Sequence, residues 1–477
     1  MLKRLGLFLG FTVLVALASG PDTLWLRRLD FGSDEMAWGI DCRGDDIVAT
    51  GYCTDTLQTV GCLTVKFSQS GDTVWSRTFG TELDDYGLDA CLDPEHNIYV
   101  AGYSTSFASA RPARFPLIAA NPDQTYDALI LKYDSSGGLK WSRLLPGRAL
   151  TGVAADDSGN CYVSGLSGDP TVASDLWFAK FSPTGDSVWS KVMDYGPSDV
   201  AYRVTKGPGS ALALCGILWG ASSAQGIVVR FRPDGETLWT RTTHPGTYDG
   251  LMGMTIDRNG DLVASGMTSR GSTDALLTVK YDSTGALVWL KTLDIGDGEQ
   301  GLGASYDSLG NVYVAGLLYE YPANSFAAKY SPTGDTIWTT KYDGYEDEFY
   351  DVACDDAGNP VVAGRVSDGG ESDFLVIKYT GAVALQEPRP AANLPAYATV
   401  ASLGSDRSGI LLQVRTPGMY RLDLYDLSGR HLGRLRPGFL AAGAHRLPVN
   451  RLPAGVCVVR VGSPGSPDVW SRTVVVR

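Results

Sequence analysis

The sequence predicts an all-β protein whose larger part is a seven-bladed β-propeller. Two segments alternate along residues 22–381, and each recurs about every 50 residues. One segment carries a Trp strand after a Gly-containing turn, and the other ends in a short Val-rich strand and a Gly. A half-repeat stands at each end of this region, so the first and last strands can complete one sheet and close a ring. The 57 glycines and 24 prolines suit many short strands joined by turns.

The Trp-bearing segment predicts a strand, a tight turn and a second strand. It recurs as VKFSQSGDTVWSRTF (65–79), LKYDSSGGLKWSRLL (131–145), AKFSPTGDSVWSKVM (179–193), VRFRPDGETLWTRTT (229–243), VKYDSTGALVWLKTL (279–293) and AKYSPTGDTIWTTKY (328–342). The alternating segment includes NIYVAG (97–102), NCYVSG (160–165) and NVYVAG (311–316), with a further short strand before each. The unit is therefore four strands.

The two half-repeats decide between a ring and an open solenoid. The last repeat breaks off at VIKYTG (376–381), and the missing Trp strand occurs at the other end, in DTLWLRRLD (22–30). A solenoid would need capping ends and has no use for two half-repeats. We therefore expect the strand of Trp25 to pair with the strand 374–379. The seven Trp in this register are expected to pack between blades: Trp25, Trp75, Trp141, Trp189, Trp239, Trp289 and Trp338.

The repeat resembles the secreted bacterial seven-bladed β-propeller repeat family. The similarity lies in an acidic loop (Asp84 to Gly87), a D-x-x-G-N-x-Y-V-x-G segment (near Asn97 to Ser104) and a D-A-x-x-x-K-Y-D-x-x-G segment (Asp127 to Gly137). This resemblance implies the fold and an extracellular address, but it implies no single activity.

The ends of the chain predict export. Lys3 and Arg4 precede an apolar run from Leu5 to Leu17 and then small residues, which is typical of a signal peptide over residues 1–20. We assign residues 21–382 to the propeller, the Pro-containing segment 383–396 to a linker and residues 397–477 to a C-terminal domain. No later stretch approaches membrane-spanning length. The expected location is secreted, extracellular or at a bacterial cell surface.

The C-terminal residues resemble two related domains. The motifs are YDLSGR from Tyr425, AGAH from Ala442 and LPAGV from Leu452. In this order they are similar to the C-terminal sorting domains of type IX secretion and to the immunoglobulin-like domain of the flagellar hook-capping protein. The resemblance implies a C-terminal immunoglobulin-like β-sandwich and, in the sorting case, the secretion machinery as a partner.

The distribution of charge and the spacing of the cysteines limit which partners and which metal sites are expected. Residues 21–382 contain 26 basic and 48 acidic residues, whereas residues from 383 onward contain 12 arginines and 5 acids. The acidic main domain makes nucleic acid an improbable partner, and we expect a monomer. The eight cysteines show no zinc spacing. Cys53 and Cys62 flank a short loop, so a disulfide between them is left open.

Catalytic and metal-binding patterns are absent from the sequence. The only propeller histidines, His96 and His244, have no recurring acidic partner, and no nucleophile elbow or zinc motif occurs. The Asp residues of the D-x-x-G-N turns could suggest calcium: Asp156 or Asp157, Asp257, Asp307 and Asp355. Because Asp and Asn bond their own backbone in such turns, we expect no metal and no cofactor.

The strongest candidates for a binding site lie on the loops that connect one blade to the next. These loops combine acids and aromatic residues, which suit sugars, cations or basic peptides: Asp34, Glu35, Asp84, Asp85, Tyr86, Asp199, Tyr202, Tyr248, Asp249, Glu299, Glu346 and Asp347. The alternative is that each acid only braces a neighbouring strand. An insertion from Ser104 to Tyr126 adds Arg111, Arg114 and Asp123 to the same face.

These features predict a non-catalytic platform for an extracellular carbohydrate or protein ligand. The alternative is a polysaccharide-active enzyme, a lyase or glycosidase, with its site at one mouth of the channel. An enzyme should break the repeat symmetry with ionisable residues that point into that mouth.

Overall fold

A computed structural model describes residues 21–381 and the strands between residues 400 and 476. Within the first range it leaves out 56–58, 106–125, 170–172, 210, 221, 271–272, 297, 320–323, 343–346 and 368–370. The predicted signal peptide, the predicted linker and most of the insertion after Ser104 therefore lie outside the described residues. The chain divides into two compact units, residues 1–382 and 383–477.

The described strands of the first unit are short and follow one another at regular intervals. In chain order they are β1 (Thr23–Leu29), β2 (Glu35–Arg43), β3 (Asp46–Thr54), β4 (Val60–Ser68), β5 (Thr73–Phe79), β6 (Asp84–Leu92), β7 (Ile98–Thr105), β8 (Tyr126–Tyr133), β9 (Leu139–Pro146), β10 (Arg148–Ala155), β11 (Cys161–Asp169), β12 (Ala173–Phe181), β13 (Ser187–Met193), β14 (Ser198–Lys206), β15 (Leu212–Trp219), β16 (Ala224–Phe231), β17 (Thr237–Thr243), β18 (Tyr248–Ile256), β19 (Leu262–Arg270), β20 (Thr273–Tyr281), β21 (Leu287–Leu293), β22 (Glu299–Tyr306), β23 (Val312–Leu318), β24 (Asn324–Tyr330), β25 (Thr336–Tyr342), β26 (Glu348–Cys354), β27 (Pro360–Ser367) and β28 (Ser372–Tyr379).

The strands pair antiparallel in groups of four. Chain order is spatial order in β2–β5, β6–β9, β10–β13, β14–β17, β18–β21 and β22–β25, and a single parallel bridge from Ala224 to Tyr248 links two of these groups. The remaining group runs β26, β27, β28 and then β1. In it Trp25 lies opposite Lys378, so the predicted pairing of the N-terminal strand with residues 374–379 is confirmed.

The sheets surround a common centre, as the blades of a β-propeller do. The first strand of each sheet contacts the first strand of the next, and β26 contacts β2. Apolar clusters fill the spaces between sheets; one of them joins Ile47 and Phe67 of the β2–β5 sheet to Phe374 of β28. We call the side that carries the turns between first and second strands the turn face. The opposite side, with the sheet-to-sheet connections such as residues 30–34 and 194–197, is the connection face.

The suggested Cys53–Cys62 disulfide is wrong. Cys53 lies opposite Gly61, while Cys62 lies opposite Tyr52. Because successive side chains of a strand point to opposite faces, the two thiols lie on different sides of the sheet. Both cysteines are buried and free, and the Cys62 Sγ lies 4.0 Å from the Thr50 hydroxyl oxygen.

The described strands of the second unit form three small sheets. They are β29 (Val400–Asp406), β30 (Gly409–Val414), β31 (Gly418–Met419), β32 (Arg421–Tyr425), β33 (His431–Leu435), β34 (Phe439–Leu440), β35 (Gly443–Leu447), β36 (Gly455–Gly462) and β37 (Val469–Val476). The spatial orders are β29-β30-β35, β31-β34 and β33-β32-β36-β37. The immunoglobulin-like sandwich stays a prediction. Across the described part of both units, no helix has the length and apolar character needed to span a bilayer.

Candidate functional site

The inner strands share a bulge that sends one residue of each towards the centre. The register shifts once in every first strand, and the skipped residue is Trp38, Leu88, Thr151, Tyr202, Met252, Leu302 or Tyr350. All of these except Thr151 belong to one apolar cluster that draws buried residues from every sheet. Each is at most 5% exposed. Aromatic and aliphatic side chains therefore fill the centre of the ring on the connection-face side.

The residue after each bulge lies where neighbouring inner strands come closest. Four sheets have glycine there, at Gly39, Gly152, Gly253 and Gly303. A Cβ on Gly39 would lie 2.6 Å from the Cα of Asp89, and one on Gly303 would lie 2.7 Å from the Cα of Asp351. The other three sheets have charged residues at this position: Asp89, Arg203 and Asp351. Charge therefore breaks the repeat symmetry at a position where neighbouring inner strands approach closely.

Arg203 joins the two acids across the centre. Its guanidinium forms ion pairs with Asp89 of β6 and Asp351 of β26, which belong to sheets not adjacent to its own. Both carboxylates also accept backbone hydrogen bonds from a next sheet, Asp89 from the Val153 amide at 2.8 Å and Asp351 from the Ile40 amide at 3.0 Å. Burial raises the pKa of both acids, and the Arg203 charge opposes that rise.

A polar cavity of about 650 Å³ opens from these ion pairs to the turn face. Asp41, Asp89, Arg203 and Asp351 line it together with the ends of the inner strands, and Arg43, Lys206, Arg258, Asp257 and Asp356 lie further along its wall. A volume of this size lies within the range of small-molecule sites. The cavity ends at the Arg203 ion pairs, and the apolar cluster lies beyond them.

Asp41 is a carboxyl group of this cavity whose acidity is strongly altered by burial. Its two oxygens accept hydrogen bonds from the Leu92 and Cys42 amides, both at 2.8 Å. Burial raises its pKa to about 7, against the lowering effect of these hydrogen bonds. A carboxyl group that titrates near neutral pH inside a cavity can donate a proton to a bound ligand or accept one from it.

Positive side chains along the wall differ in how firmly they are held. Lys206 forms a 2.7 Å ion pair with Asp157, and Arg258 donates to the backbone carbonyl of Ser308. Arg43 is exposed and makes a long 3.4 Å contact with the Leu92 carbonyl. Arg43 can therefore turn towards an anionic or hydroxyl-rich ligand at little cost, whereas Arg258 would first give up its bond to Ser308.

The acids predicted on the connection face are buried. Glu35, Asp85, Asp199, Asp249 and Glu299 are at most 1% exposed. Each accepts a hydrogen bond from a backbone amide in the connection that precedes its strand, as Asp199 does from Tyr195 at 2.6 Å. Burial raises the pKa of Asp199 and Glu299. This geometry is that of a brace for the connection.

The other predicted residues of this face are scattered. Tyr86 and Tyr202 lie in the central apolar cluster, and Asp34 accepts a 3.1 Å hydrogen bond from the Ser372 amide. Asp84 and Asp347 are buried, whereas Tyr248 is 39% exposed beside Trp219. Glu346 and the insertion residues Arg111, Arg114 and Asp123 lie outside the described residues, and Tyr126 packs in the apolar cluster.

The predicted Trp residues lie at the outer part of the sheet interfaces. Six donate an indole hydrogen bond to a carbonyl in the next sheet: Trp25 to Gln69 (3.0 Å), Trp75 to Ser135 (3.2 Å), Trp141 to Pro183 (2.9 Å), Trp189 to Pro233 (3.0 Å), Trp239 to Ser283 (3.3 Å) and Trp289 to Pro332 (3.1 Å). Trp338 is 1% exposed and packs near Tyr313. These contacts hold neighbouring sheets together.

The Asp residues of the D-x-x-G-N turns bond their own backbone, as predicted. Asp307 accepts from the Leu309 and Asn311 amides, both at 2.9 Å, and Asp156 accepts from Ser158 and Asn160 in the same way. Asp257 repeats the pattern with the Asn259 and Asp261 amides, and Asp355 accepts from the Asn359 amide. A buried lysine completes the turn in several sheets, for example Lys378, which lies 2.7 Å from Asp355.

Sequence reasoning missed the residues that make the central cavity polar: Asp41, Asp89, Arg203 and Asp351. A signal was present, because aligning the first strands places Asp89, Arg203 and Asp351 in the column that holds glycine in the other sheets. Without the bulge register, however, nothing in the sequence shows that this column faces the centre.

Comparison with known proteins adds structural neighbours only. No protein-family model matches the chain, and no curated protein matches it. Solved structures that match include Sqt1 of Chaetomium thermophilum bound to the N-terminus of ribosomal protein L10 (11% identity, TM-score 0.44, covering 76% of this chain and 100% of that one). An ulvan lyase of polysaccharide lyase family 25 (12%, 0.43, 74% and 96%) and the β-propeller domain of the Trilobed protease from Pyrococcus furiosus (10%, 0.41, 73% and 96%) also match. Since these TM-scores are below 0.5, the propeller assignment rests on the strand pairing described above.

Proposed function

We propose that this chain is a secreted or cell-surface seven-bladed propeller that binds a polar extracellular ligand, a carbohydrate in the first instance, in the turn-face cavity. The observation that carries the proposal is the break in repeat symmetry at Asp89, Arg203 and Asp351. A ring that only had to close could keep glycine in this column, as four sheets do. Buried charge there is costly for stability and so favours a role in binding.

The chemistry of the cavity favours a hydroxyl-rich ligand. Asp41 supplies a hydrogen-bonding carboxyl group, and Arg43, Arg258 and Lys206 supply donors along the wall. Acids and cations alternate over a short distance, which suits sugar hydroxyls better than an extended apolar peptide. The other ligand class in this proposal is a protein that inserts one polar side chain into the cavity.

The address of the protein belongs to the same proposal. Its support is the signal-like sequence of residues 1–20 and the motifs of residues 397–477, with residues 383–396 as the linker. On this proposal the C-terminal domain is an immunoglobulin-like sandwich that engages the secretion machinery or anchors the chain. The protein is a monomer, and its propeller binds the ligand outside the cell.

A second candidate function, a polysaccharide-active enzyme, is favoured by Asp41. Its pKa of about 7 is that of a group able to act as a general acid or base at neutral pH. Arg203 lies in the same cavity, but its charge is already neutralised by Asp89 and Asp351. The binding proposal therefore ranks first.

A panel of neutral and acidic oligosaccharides, screened for binding and for cleavage, tests both functions. We expect the wild-type chain to bind a member of the panel, and Arg43→Ala to weaken that binding by about tenfold or more. Arg232→Ala is the matched control, because Arg232 is an exposed arginine paired with Glu236 away from the cavity. Cleavage that is lost in Asp41→Asn would select the enzyme, and no binding or an equal loss in the control would overturn the cavity proposal.

A further inference from the structure

Three carboxylates meet where the two ends of the ring join. Asp30 directly follows β1, Glu35 is the first residue of β2, and Asp373 is the second residue of β28. One carboxylate oxygen of each lies within 4.8 Å of the other two. The group thus connects the closing strand, the strand it pairs with and the first strand of the next sheet.

Glu35 is the member of the group whose surroundings favour a bound cation. Its side chain is 0% exposed. Oε1 accepts a 3.2 Å hydrogen bond from the Ser33 amide, whereas Oε2 has no hydrogen-bond partner among the described residues. A buried carboxylate oxygen without a hydrogen-bond donor destabilises the folded protein unless a positive charge compensates it.

The surrounding charges leave the group negative. Arg28 forms an ion pair with Asp373, Asp30 Oδ1 accepts from the Gly32 amide at 3.1 Å, and Asp34 accepts from the Ser372 amide. Three carboxylates and one guanidinium sum to a net charge of about −2 when the acids are ionised. A divalent cation would neutralise them.

The equivalent position in the next sheet shows what a complete brace looks like. At the connection between β5 and β6, the places of Asp30 and Asp373 are taken by Gly80 and Gly61, and the place of Glu35 by Asp85. Both oxygens of Asp85 have donors, the Thr81 amide at 2.6 Å and the Ser104 hydroxyl. Asp199 and Glu299, which take the place of Glu35 in two other sheets, also have one oxygen without a hydrogen-bond partner among the described residues, and each has a further acid nearby, Asp194 or Asp294. The unpartnered oxygen therefore accompanies additional acids, and at Glu35 three carboxylates lie within 4.8 Å of one another.

We propose that Asp30, Glu35 and Asp373 bind a calcium ion that fastens the closure of the ring. All three ligands are carboxylate oxygens, the type that Ca²⁺ prefers, and a shell of radius about 2.4 Å spans oxygens up to about 4.8 Å apart. Water and nearby carbonyl oxygens can complete the six to eight ligands. Bound calcium links β1, β2 and β28 and therefore opposes release of β1.

Hydrogen exchange of residues 23–29 in the full chain tests this site directly. We expect calcium at about ten times its dissociation constant to slow exchange in β1 about tenfold relative to EDTA, and to raise the Tm. Magnesium should do less, because it demands shorter bonds and a stricter geometry. Glu35→Gln and Asp373→Asn should lose the effect, whereas the matched control Asp85→Asn should keep it.

The outcomes separate the site from a structural role of Glu35. Glu35→Gln removes a buried acid, so without calcium it should be at least as stable as the wild type. If that variant does not fold, the exposed Asp30→Asn gives the same readout. No calcium-dependent protection of β1 in the wild type, or the same protection in Glu35→Gln, would overturn the proposal. Binding of sugars in the central cavity is a separate measurement and does not enter this test.

Discussion

The indole N–H of Trp25 donates a 3.0 Å hydrogen bond to the backbone carbonyl of Gln69, in the turn that follows β4. Trp25 belongs to β1, the first described strand, but completes the sheet of β26–β28, so this bond joins the last described sheet to the first. Arg27 reinforces it by donating to the Gly71 carbonyl at 2.6 Å. The same Trp contact occurs at five other interfaces, so the closure is built like the rest of the ring.

Removing the Trp25 ring should destabilise the closure. Trp25→Ala deletes the indole that covers this turn, and we expect it to lower the free energy of unfolding by about 2–4 kcal/mol. The measurement is urea unfolding followed by far-UV circular dichroism. Leu24→Ala is the control, because Leu24 is 52% exposed and should change stability by less than about 0.5 kcal/mol. Equal effects of the two substitutions would show that the contact does not hold the ring.

Gly71 should be intolerant of any side chain. Its φ is +82°, and a Cβ would lie 2.7 Å from Cδ2 of Trp25. Gly71→Ala should therefore lower the free energy of unfolding by about 1–3 kcal/mol and lower the Tm. Gly80→Ala is the matched control, since a Cβ there meets nothing within 4 Å. Thermal unfolding of both variants decides the matter; a Gly71→Ala Tm equal to the control would contradict this account.

The fold was open to sequence reasoning because its signals are local and repeated. The Trp strands and Gly turns recur often enough to predict the four-stranded unit, and Trp25 in register with the others predicts the pairing with Lys378. The Cys53–Cys62 disulfide, which the sequence left open, is excluded by local geometry. The spacing of Cys53 and Cys62 shows that they are near in space, but only the strand register shows that they face opposite sides.

The candidate site was less accessible to sequence reasoning. Acids on connecting loops suggested a binding face, but Glu299 and Asp199 are buried and bond the backbone of their own connections. The cavity opens at the turn face, and its charged residues lie within strands whose sequence pattern predicts a buried core. Arg203 meets Asp89 and Asp351 from distant repeats, and only closure of the ring brings them together.

Loss of Arg203 should leave two buried acids without a counter-charge. We expect Arg203→Met to cost about 3–5 kcal/mol at pH 7. The triple variant Arg203→Met, Asp89→Asn and Asp351→Asn should regain most of this loss, because asparagine oxygens can still accept from the Val153 and Ile40 amides. Urea unfolding of the two variants is the measurement, and a triple variant no more stable than the single one would refute the ion-pair explanation.

Asp41 should make stability fall as the pH rises. Its pKa is raised from 3.8 to about 7 in the folded protein. Between pH 4 and 7 the unfolded chain releases this proton while the folded protein keeps it, so the contribution is present below pH 4 and lost as the pH rises through 7. Asp41→Asn should therefore gain at least about 1 kcal/mol relative to the wild type between pH 5 and pH 8.

Urea unfolding at the two pH values measures this gain. Asp186→Asn serves as the control, because the Asp186 side chain is 77% exposed. A stability difference between Asp41→Asn and the wild type that does not change with pH would mean that Asp41 titrates as an ordinary surface acid.

The proposed calcium site exists only if β1 closes the ring against β28, and the same closure fastens the ring of sheets that surrounds the central cavity. The most direct test deletes residues 21–30 and then adds a synthetic peptide of those residues to the truncated chain. We predict that the truncated chain aggregates through its unpaired β28 edge, and that the peptide restores a soluble monomer with a raised Tm. A truncated chain that is monomeric and as stable as the wild type, with no response to the peptide, would contradict the account.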